Sequence, residues 1–459
     1  MVPRVRRYTP IALVIAVVLA WLLWPARRSN VLLISIDTLR PDFLSCYGGT
    51  YQSTPHIDAM ANAGVLFTQA IADVPWPRAS MASVLTGSYA AAHHVRTVFD
   101  RLSEDSTTMA QAFASAGYRT GAVVSDFDLD HVFALDRGFQ TYDDRFDTPL
   151  YVTGKERLVH LASIFYGDLQ QDRRFRTRKL KADSLRDDPR ITDAAMGWLR
   201  RIGAQPFFLW VHYSGPRARW TSSENLHDVL AEYQPAIQRL DVEVGRLMEA
   251  LAVMHLDGNT IVVLHADRGA GVRERRFFVP GRNLYDASVR VPLIMRWPKA
   301  LPAGTRTDAL VRLVDLFPTL AELVGVSRPT GVDGRSLTAL LQRGEHAGAS
   351  ETYAETYLPA TAMASQVTTG PDGQPVRFGF VRRAIRTPRW KYIRNDPSPV
   401  IDVRAPAPVP EPLRQTLASE ELYDLSADPS EQHNLIDSAP TTAAGLRSAL
   451  DRYAKGTLR

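Results

Sequence analysis

Four short, nearly continuous apolar runs constrain this chain more than anything else in it. Val31 to Ile36 (VLLISI), Gly121 to Ser125, Pro206 to His212 and Thr260 to Leu264 read as strands buried on both faces. Between them lie helical patterns: Met109 to Ala116, Ile191 to Arg201 and Tyr233 to Leu251. This alternation specifies an α/β fold with a large central, mostly parallel sheet and helices on both faces. In such sheets ligands bind beyond the carboxyl ends of the strands. Each run ends in polar residues there: Asp37-Thr38, Ser125-Asp126, His212-Tyr213-Ser214 and His265-Ala266-Asp267-Arg268.

A length of 459 residues accommodates such a domain with an appendage, and 45% apolar with 22% charged residues is ordinary for a folded chain. The net charge of +5 is modest but uneven, with six basic residues in the nine from Arg173 to Lys181. That run reads as a solvated loop or as a dock for an anionic surface or glycan. Nothing points to nucleic acid. The single Cys46 excludes an intramolecular disulfide and is read as a buried packing residue. At the N-terminus, Arg4, Arg6 and Arg7 precede an apolar run from Ile11 to Trp24. The run is short for a bilayer span, but its exit lacks a clear Ala-x-Ala cleavage site. The expectation is an uncleaved signal anchor over 1–29, single-pass, with the body outside the cytoplasm. The α/β domain is placed at 30–345, with a polar, basic excursion at about 150–190. A smaller C-terminal antiparallel-sheet subdomain is placed at 346–459, where Ala384 to Arg389 and Trp390 to Ile393 alternate like strands.

The stretch from Asp73 to Val95, DVPWPRASMASVLTGSYAAAHHV, resembles the nucleophile segment of the sulfatases, in the alkaline-phosphatase-like superfamily. Members carry Cys/Ser-x-Pro-Ser-Arg, a short helix ending Leu-Thr-Gly, then Tyr and His-Gly-Val. Leu85-Thr86-Gly87, Tyr89 and His93-His94-Val95 keep that frame. Asp37 to Asp42 with Tyr47-Gly48-Gly49, Leu284-Tyr285-Asp286, Arg290-Val291-Pro292 and Glu421 to Leu435 resemble further family segments. The resemblance runs from Asn30 to about Lys455 and implies the sulfatase-like sandwich fold.

It also implies a chemistry: a Cys or Ser matured to formylglycine, a divalent cation on aspartates plus Asn or His, and flanking Lys, His and Arg. Counting back from Gly87 places the nucleophile at Pro77, which has neither hydroxyl nor thiol. Anchoring on Arg78 instead places it at Val74, equally inert. Thr38 stands where many members have a second aspartate, and Ser125-Asp126-Phe127 where many have Lys-x-His. Gly215 and Arg217 replace an aspartate and a substrate histidine. Arg268 stands in place of the metal-binding His or Asn beside Asp267, and an arginine has no lone pair for a metal.

Asp37, Asp267 and Arg268 are therefore expected to form a salt-bridged remnant of a metal site that holds no ion, with no cofactor. The functional expectation is a membrane-anchored pseudo-sulfatase that binds an anionic ligand, a glycan or a protein partner. Arg78, His93, Arg217 and Arg268, with Arg282, are the pocket candidates. The alternative is an active sulfuric- or phosphoric-ester hydrolase with Ca²⁺ or Mg²⁺ on Asp37 and Asp267 and a displaced nucleophile such as Ser80 or Ser83. A phosphoethanolamine-type transferase, which commonly uses a Thr nucleophile, is disfavoured by Pro77 and by the short single anchor.

Overall fold

The computed structural model describes residues 28–49, 54–96, 100–145, 148–149, 184–216, 226–270, 283–344, 348–358, 368–369, 375–376, 379–398 and 419–454. The N-terminal apolar run, the basic run at 173–181, Arg217 and Arg282 lie outside these residues. Among the described residues no helix is long and apolar enough to cross a membrane.

The large sheet comprises β1 (Asn30–Ile36), β2 (Val65–Ile71), β3 (Arg119–Val123), β4 (Thr141–Asp143), β5 (Phe207–Tyr213), β6 (Thr260–Ala266), β7 (Arg290–Arg296) and β8 (Thr305–Arg312). Their order is β8-β2-β7-β6-β1-β5-β3-β4. Only β7 runs against the rest, pairing antiparallel with β2 and β6. The other pairings are parallel. Strands β1, β5 and β6 are buried at every residue, which is why their sequences are continuous apolar runs without alternation.

Helices cover both faces, as adjacent residues of β5 show. The Phe207 ring meets Trp198 of α4 (Asp188–Ile202) edge-on, while Phe208 meets Phe113 of α3 (Met109–Ser115). Consecutive strand residues point to opposite faces, so the two helices lie on opposite sides. Gly121 of β3 admits the first of these: a Cβ there would fall 2.4 Å from the Trp198 ring. On the α4 side, α5 (Leu226–Val253) packs against α4 and against α1 (Pro55–Asn62). On the other side, α2 (Pro77–Thr86) packs with α3 and α6 (Leu316–Val324).

A separate antiparallel sheet follows, β9 (Thr352–Leu358), β10 (Gly379–Arg386), β11 (Trp390–Ser398) and β12 (Glu420–Asp424), in that spatial order. The C-terminal α7 (Pro440–Ala454) packs on β10 and β11. A buried ionic joint ties this sheet to the large one. Lys391 of β11 reaches the Leu284 carbonyl at 3.0 Å and Glu431 at 3.0 Å, and Arg386 of β10 pairs with Asp286 at 3.0 Å.

Local differences from the sequence reading have local causes. β3 stops at Val123 rather than Ser125, because the chain turns away to give the Ser125 carbonyl to Arg186 N–H. α4 starts three residues early, at Asp188, with Pro189 in its first turn, where a missing N–H costs no helical hydrogen bond. α5 extends to 28 residues and carries Pro235 inside it. Cys46 is half-buried rather than buried; burial and the adjacent Asp58 push its thiol up to about 12.

Candidate functional site

Because β1 and β6 pair in parallel with Ile36 opposite Ala266, the residues that follow each strand, Asp37 and Asp267, emerge side by side. The Asp267 N–H donates to the Ile36 carbonyl and the Asp37 N–H to the Tyr213 carbonyl, fixing both at the sheet's rim. Both side chains are fully buried. Arg268 lies over Asp37: its Nε and Nη2 both stand 2.9 Å from Oδ1, and the guanidinium is 3% exposed. Burial pulls the Arg268 pKa down, but Asp37, Asp267 and Asp128 together hold it above its ordinary value. Thr38 joins the two carboxylates. Its hydroxyl donates to Asp37 Oδ1 and its N–H to Asp267 Oδ1 at 3.3 Å. This requires φ of +61°, a left-handed conformation rare for a β-branched residue. Thr38 is thus a donor to both aspartates.

Pro77 is the first residue of α2, after the extended Trp76, and is buried. Proline suits that position because the first-turn N–H has no helical partner and φ is preset. The helix ends at Gly87, whose φ of +66° closes it. Ser80, one turn in, donates to the Asp267 carbonyl at 2.7 Å, seating α2 against the rim. Ser83 donates to Asp73 Oδ2 at 2.6 Å and meets His93 Nε2 at 2.9 Å. The Val95 N–H donates to His93 Nδ1, so the proton sits on Nε2 and faces Ser83. Burial lowers His93 to about 3 and raises Asp73 to about 7. This buried Asp–Ser–His chain puts the serine between the other two, with its hydrogen committed to the carboxylate. It braces α2 against the segment after it, and both Ser80 and Ser83 donate hydrogen bonds within this packing.

The pocket candidates fall in different places. Arg78 is 1% exposed: it donates to the Asp128 carbonyl and carboxylate at 3.0 and 3.1 Å and to the Asp100 carbonyl, and lies 3.1 Å over the Phe133 ring. Phe127, where many sulfatases have a proton-donating histidine, packs edge-on against Phe133. His93 belongs to the brace. Of the candidates among the described residues, Arg78, His93 and Arg268, it is Arg268 that pairs with Asp37.

Several residues here were given no role in the sequence reading. Asp128 couples Arg78 and Arg268 through charge; burial raises its pKa while both arginines lower it. His212 and His265 flank Ser35 on the neighbouring strands. His212 bonds Ser35 Oγ at 2.8 Å, and burial holds both histidines near 4, hence neutral. Asp188 accepts the Ser214 N–H, and its Oδ2 would lie 2.2 Å from a Cβ on Gly215. A side chain at position 215, where the family has an aspartate, would have to displace the Asp188 carboxylate. A cavity of about 520 Å³ is lined by Arg40, Asp42, Tyr285, Asp286, Arg290 and Gln432, among others, and by none of Asp37, Pro77, Asp267 or Arg268.

The arrangement of an opening strand, a helix N-terminus and a second aspartate strand converging on one rim matches a known family. The sulfatase family model matches residues 29–326. The chain belongs to the sulfatase family. Similar proteins include human steryl-sulfatase, 26% identical over 454 residues covering 76% of this chain and 77% of that protein. The Δ4,5-hexuronate-2-O-sulfatase of Bacteroides thetaiotaomicron is 25% identical over 460 residues, 93% of this chain and 89% of that one. Among solved structures, the phosphonate monoester hydrolase of Agrobacterium radiobacter superposes with a TM-score of 0.69 at 20% identity, covering 94% of this chain and 96% of that one.

Sulfatases of this family typically use a metal ion such as Ca²⁺. Arg268, in the place of the family's His or Asn ligand, does not fit one. A hard divalent ion needs several oxygen lone pairs converging on one point. Here Asp37 Oδ1 is taken by a guanidinium and a hydroxyl, Asp267 Oδ1 by a backbone N–H, and the nearest added charge is positive. Among the described residues the grouping of three metal-capable side chains is Asp130, His131 and Asp144. Asp130 caps a turn through Val132 N–H, and Asp144 takes the His131 N–H and Nδ1.

Proposed function

We propose that this sulfatase-family protein does not hydrolyse esters by the family's covalent route and acts by recognising an anionic glycan. The observation that carries the reading is Pro77 at the first position of α2, where the family nucleophile stands: no atom there attacks sulfur or phosphorus. Two further features support it. Phe127, where many members have the proton-donating histidine, packs edge-on against Phe133, and Ser80 and Ser83 are spent on structural hydrogen bonds. The glycan class draws support from similar proteins named as hexuronate-2-O- and N-acetylgalactosamine-6-O-sulfatases, and from the basic run at 173–181. The N-terminal Arg-flanked apolar run supports an anchored protein with its body outside the cytoplasm.

The test uses the purified full chain in detergent, assayed on aryl sulfate and aryl phosphate esters with Ca²⁺ or Mg²⁺, beside Asp267→Ala. Binding to a sulfated polysaccharide is measured across a salt series. The expected result is no turnover above the Asp267→Ala background and saturable binding that weakens with salt. Turnover that disappears in Asp267→Ala refutes the reading in favour of a hydrolase with a displaced nucleophile. Absence of salt-sensitive binding removes the glycan.

A further inference from the structure

The metal's place itself carries an inference that does not depend on whether the chain hydrolyses anything. Asp37 and Asp267 are buried side by side at the ends of paired strands. Two such carboxylates need a compensating positive charge, since neither reaches water and each raises the cost of ionising the other. In this chain the compensation is part of the polypeptide. Arg268 follows Asp267 directly and doubles back to set Nε and Nη2 at 2.9 Å from Asp37 Oδ1. Thr38 completes the set from the other strand, its hydroxyl on Asp37 and its N–H on Asp267. The strained Thr38 backbone persists because it presents both donors at once.

We propose that the Arg268 guanidinium is a tethered replacement for the divalent cation: the chain folds and keeps this cradle intact without metal, and removing that one side chain turns Asp37 and Asp267 into a hard-cation site. The geometry supports mutual exclusion. Arginine contributes no lone pair, and its fixed positive charge occupies the space beside Asp37 that an ion needs. The carboxylates are the right donors for Ca²⁺ or Mg²⁺ once that charge is gone, and asparagine or histidine at 268 adds a neutral ligand atom.

The experiment compares the full-length protein with Arg268→Asn and Arg268→His, each dialysed against EDTA and then titrated with Ca²⁺ or Mg²⁺. Bound ion is measured by elemental analysis and the melting temperature at each step. The wild type is expected to carry no stoichiometric ion and to melt identically in EDTA and in millimolar cation. The variants are expected to melt lower in EDTA, to gain several degrees saturably with cation, and to bind one ion per chain. Adding Asp267→Ala is expected to abolish that gain. A wild type that carries a stoichiometric ion, or melts lower in EDTA, overturns the proposal however the variants behave. Variants that bind no ion, or stay unfolded at every cation concentration, overturn it as well. Ester hydrolysis by a metal-free wild type contradicts the non-hydrolytic reading and leaves this inference standing.

Discussion

Arg268→Met removes a buried cation and keeps most of its volume, so it isolates the charge. The guanidinium is 3% exposed and makes both of its 2.9 Å contacts to one oxygen of a fully buried aspartate. Breaking a buried pair from one side leaves the other charge uncompensated, which costs ~3–5 kcal/mol. At a few degrees per kcal/mol for a domain of this size, the melting temperature should fall on the order of 10 °C. Urea unfolding followed by both far-UV circular dichroism and tryptophan fluorescence gives the free-energy change and checks for a single transition. Asp37→Asn closes a double-mutant cycle. The double variant should be less destabilised than the sum of the singles by ~2–3 kcal/mol, because a neutral amide at position 37 no longer needs the cation. Arg268→Lys should fall between, keeping the charge but losing the two-pronged contact. If Arg268→Met unfolds within about 1 kcal/mol of wild type, or the cycle shows no coupling, the arginine is not what neutralises these carboxylates.

Other outcomes follow from neighbouring contacts. Ser83→Ala removes the hydroxyl shared by Asp73 and His93 and should cost ~1–3 kcal/mol in urea unfolding, with no effect on glycan binding. Asp73, raised to about 7 chiefly by burial, holds its proton more tightly when folded than unfolded. Its contribution is therefore full below about pH 4 and lost as pH rises to about 7; Asp73→Asn does not titrate and should gain on wild type by ~2–4 kcal/mol between pH 4 and pH 8, read from paired urea curves. Lys391→Met leaves Asp286 short of a partner and Glu431 without its cation at the joint between the two sheets. It should cost ~3–5 kcal/mol and expose a new site to limited proteolysis. Pro77→Thr supplies a hydroxyl at the nucleophile position and should still show no aryl sulfate turnover, since Arg268 and Phe127 remain.

The sequence made the strands legible where burial was two-sided. Thr260 to Leu264 and Val31 to Ile36 fall inside observed strands because unbroken apolar runs have few other destinations. The short helix ending Leu85-Thr86-Gly87 that the resemblance implied is α2, and Arg268 stands 2.9 Å from Asp37. The sequence did not reveal where Arg78 points. That depends on Asp128, 50 residues away, and on Phe133, whose approach is set by the turns after β3. One signal was available: an aspartate falls next to the position where the family places cationic donors, and an added negative charge beside an arginine-rich site invites pairing. Asp188 left no such trace. The structure shows it through the Ser214 N–H bond to Asp188 and the close approach of Gly215 to the same carboxylate. The brace of Asp73, Ser83 and His93 lies within the recognised segment, yet a list of residues does not give its order of donors. The Val95 N–H on Nδ1 does.

The departures at 77 and 268 are physically linked. A divalent ion in this fold activates the nucleophile and balances two buried aspartates. With proline at the head of α2 the first task has no object, while the second persists as long as Asp37 and Asp267 stay buried. On the proposed reading, a site relieved of catalysis but not of its carboxylates has two stable solutions: neutralise the aspartates by mutation, or supply a cation from the chain. Arg268 on Asp37 fits the second, and the Thr38 hydroxyl and N–H fit it too, since both donate to carboxylates. The same logic predicts an asymmetry. Asp37→Asn alone strands Arg268 without its main partner and should destabilise the fold, whereas Asp37→Asn with Arg268→Met removes donor demand and charge together. Were Asp37→Asn alone harmless, the arginine would be a passenger at the rim, and the loss of the nucleophile and the loss of the metal would have to be explained separately.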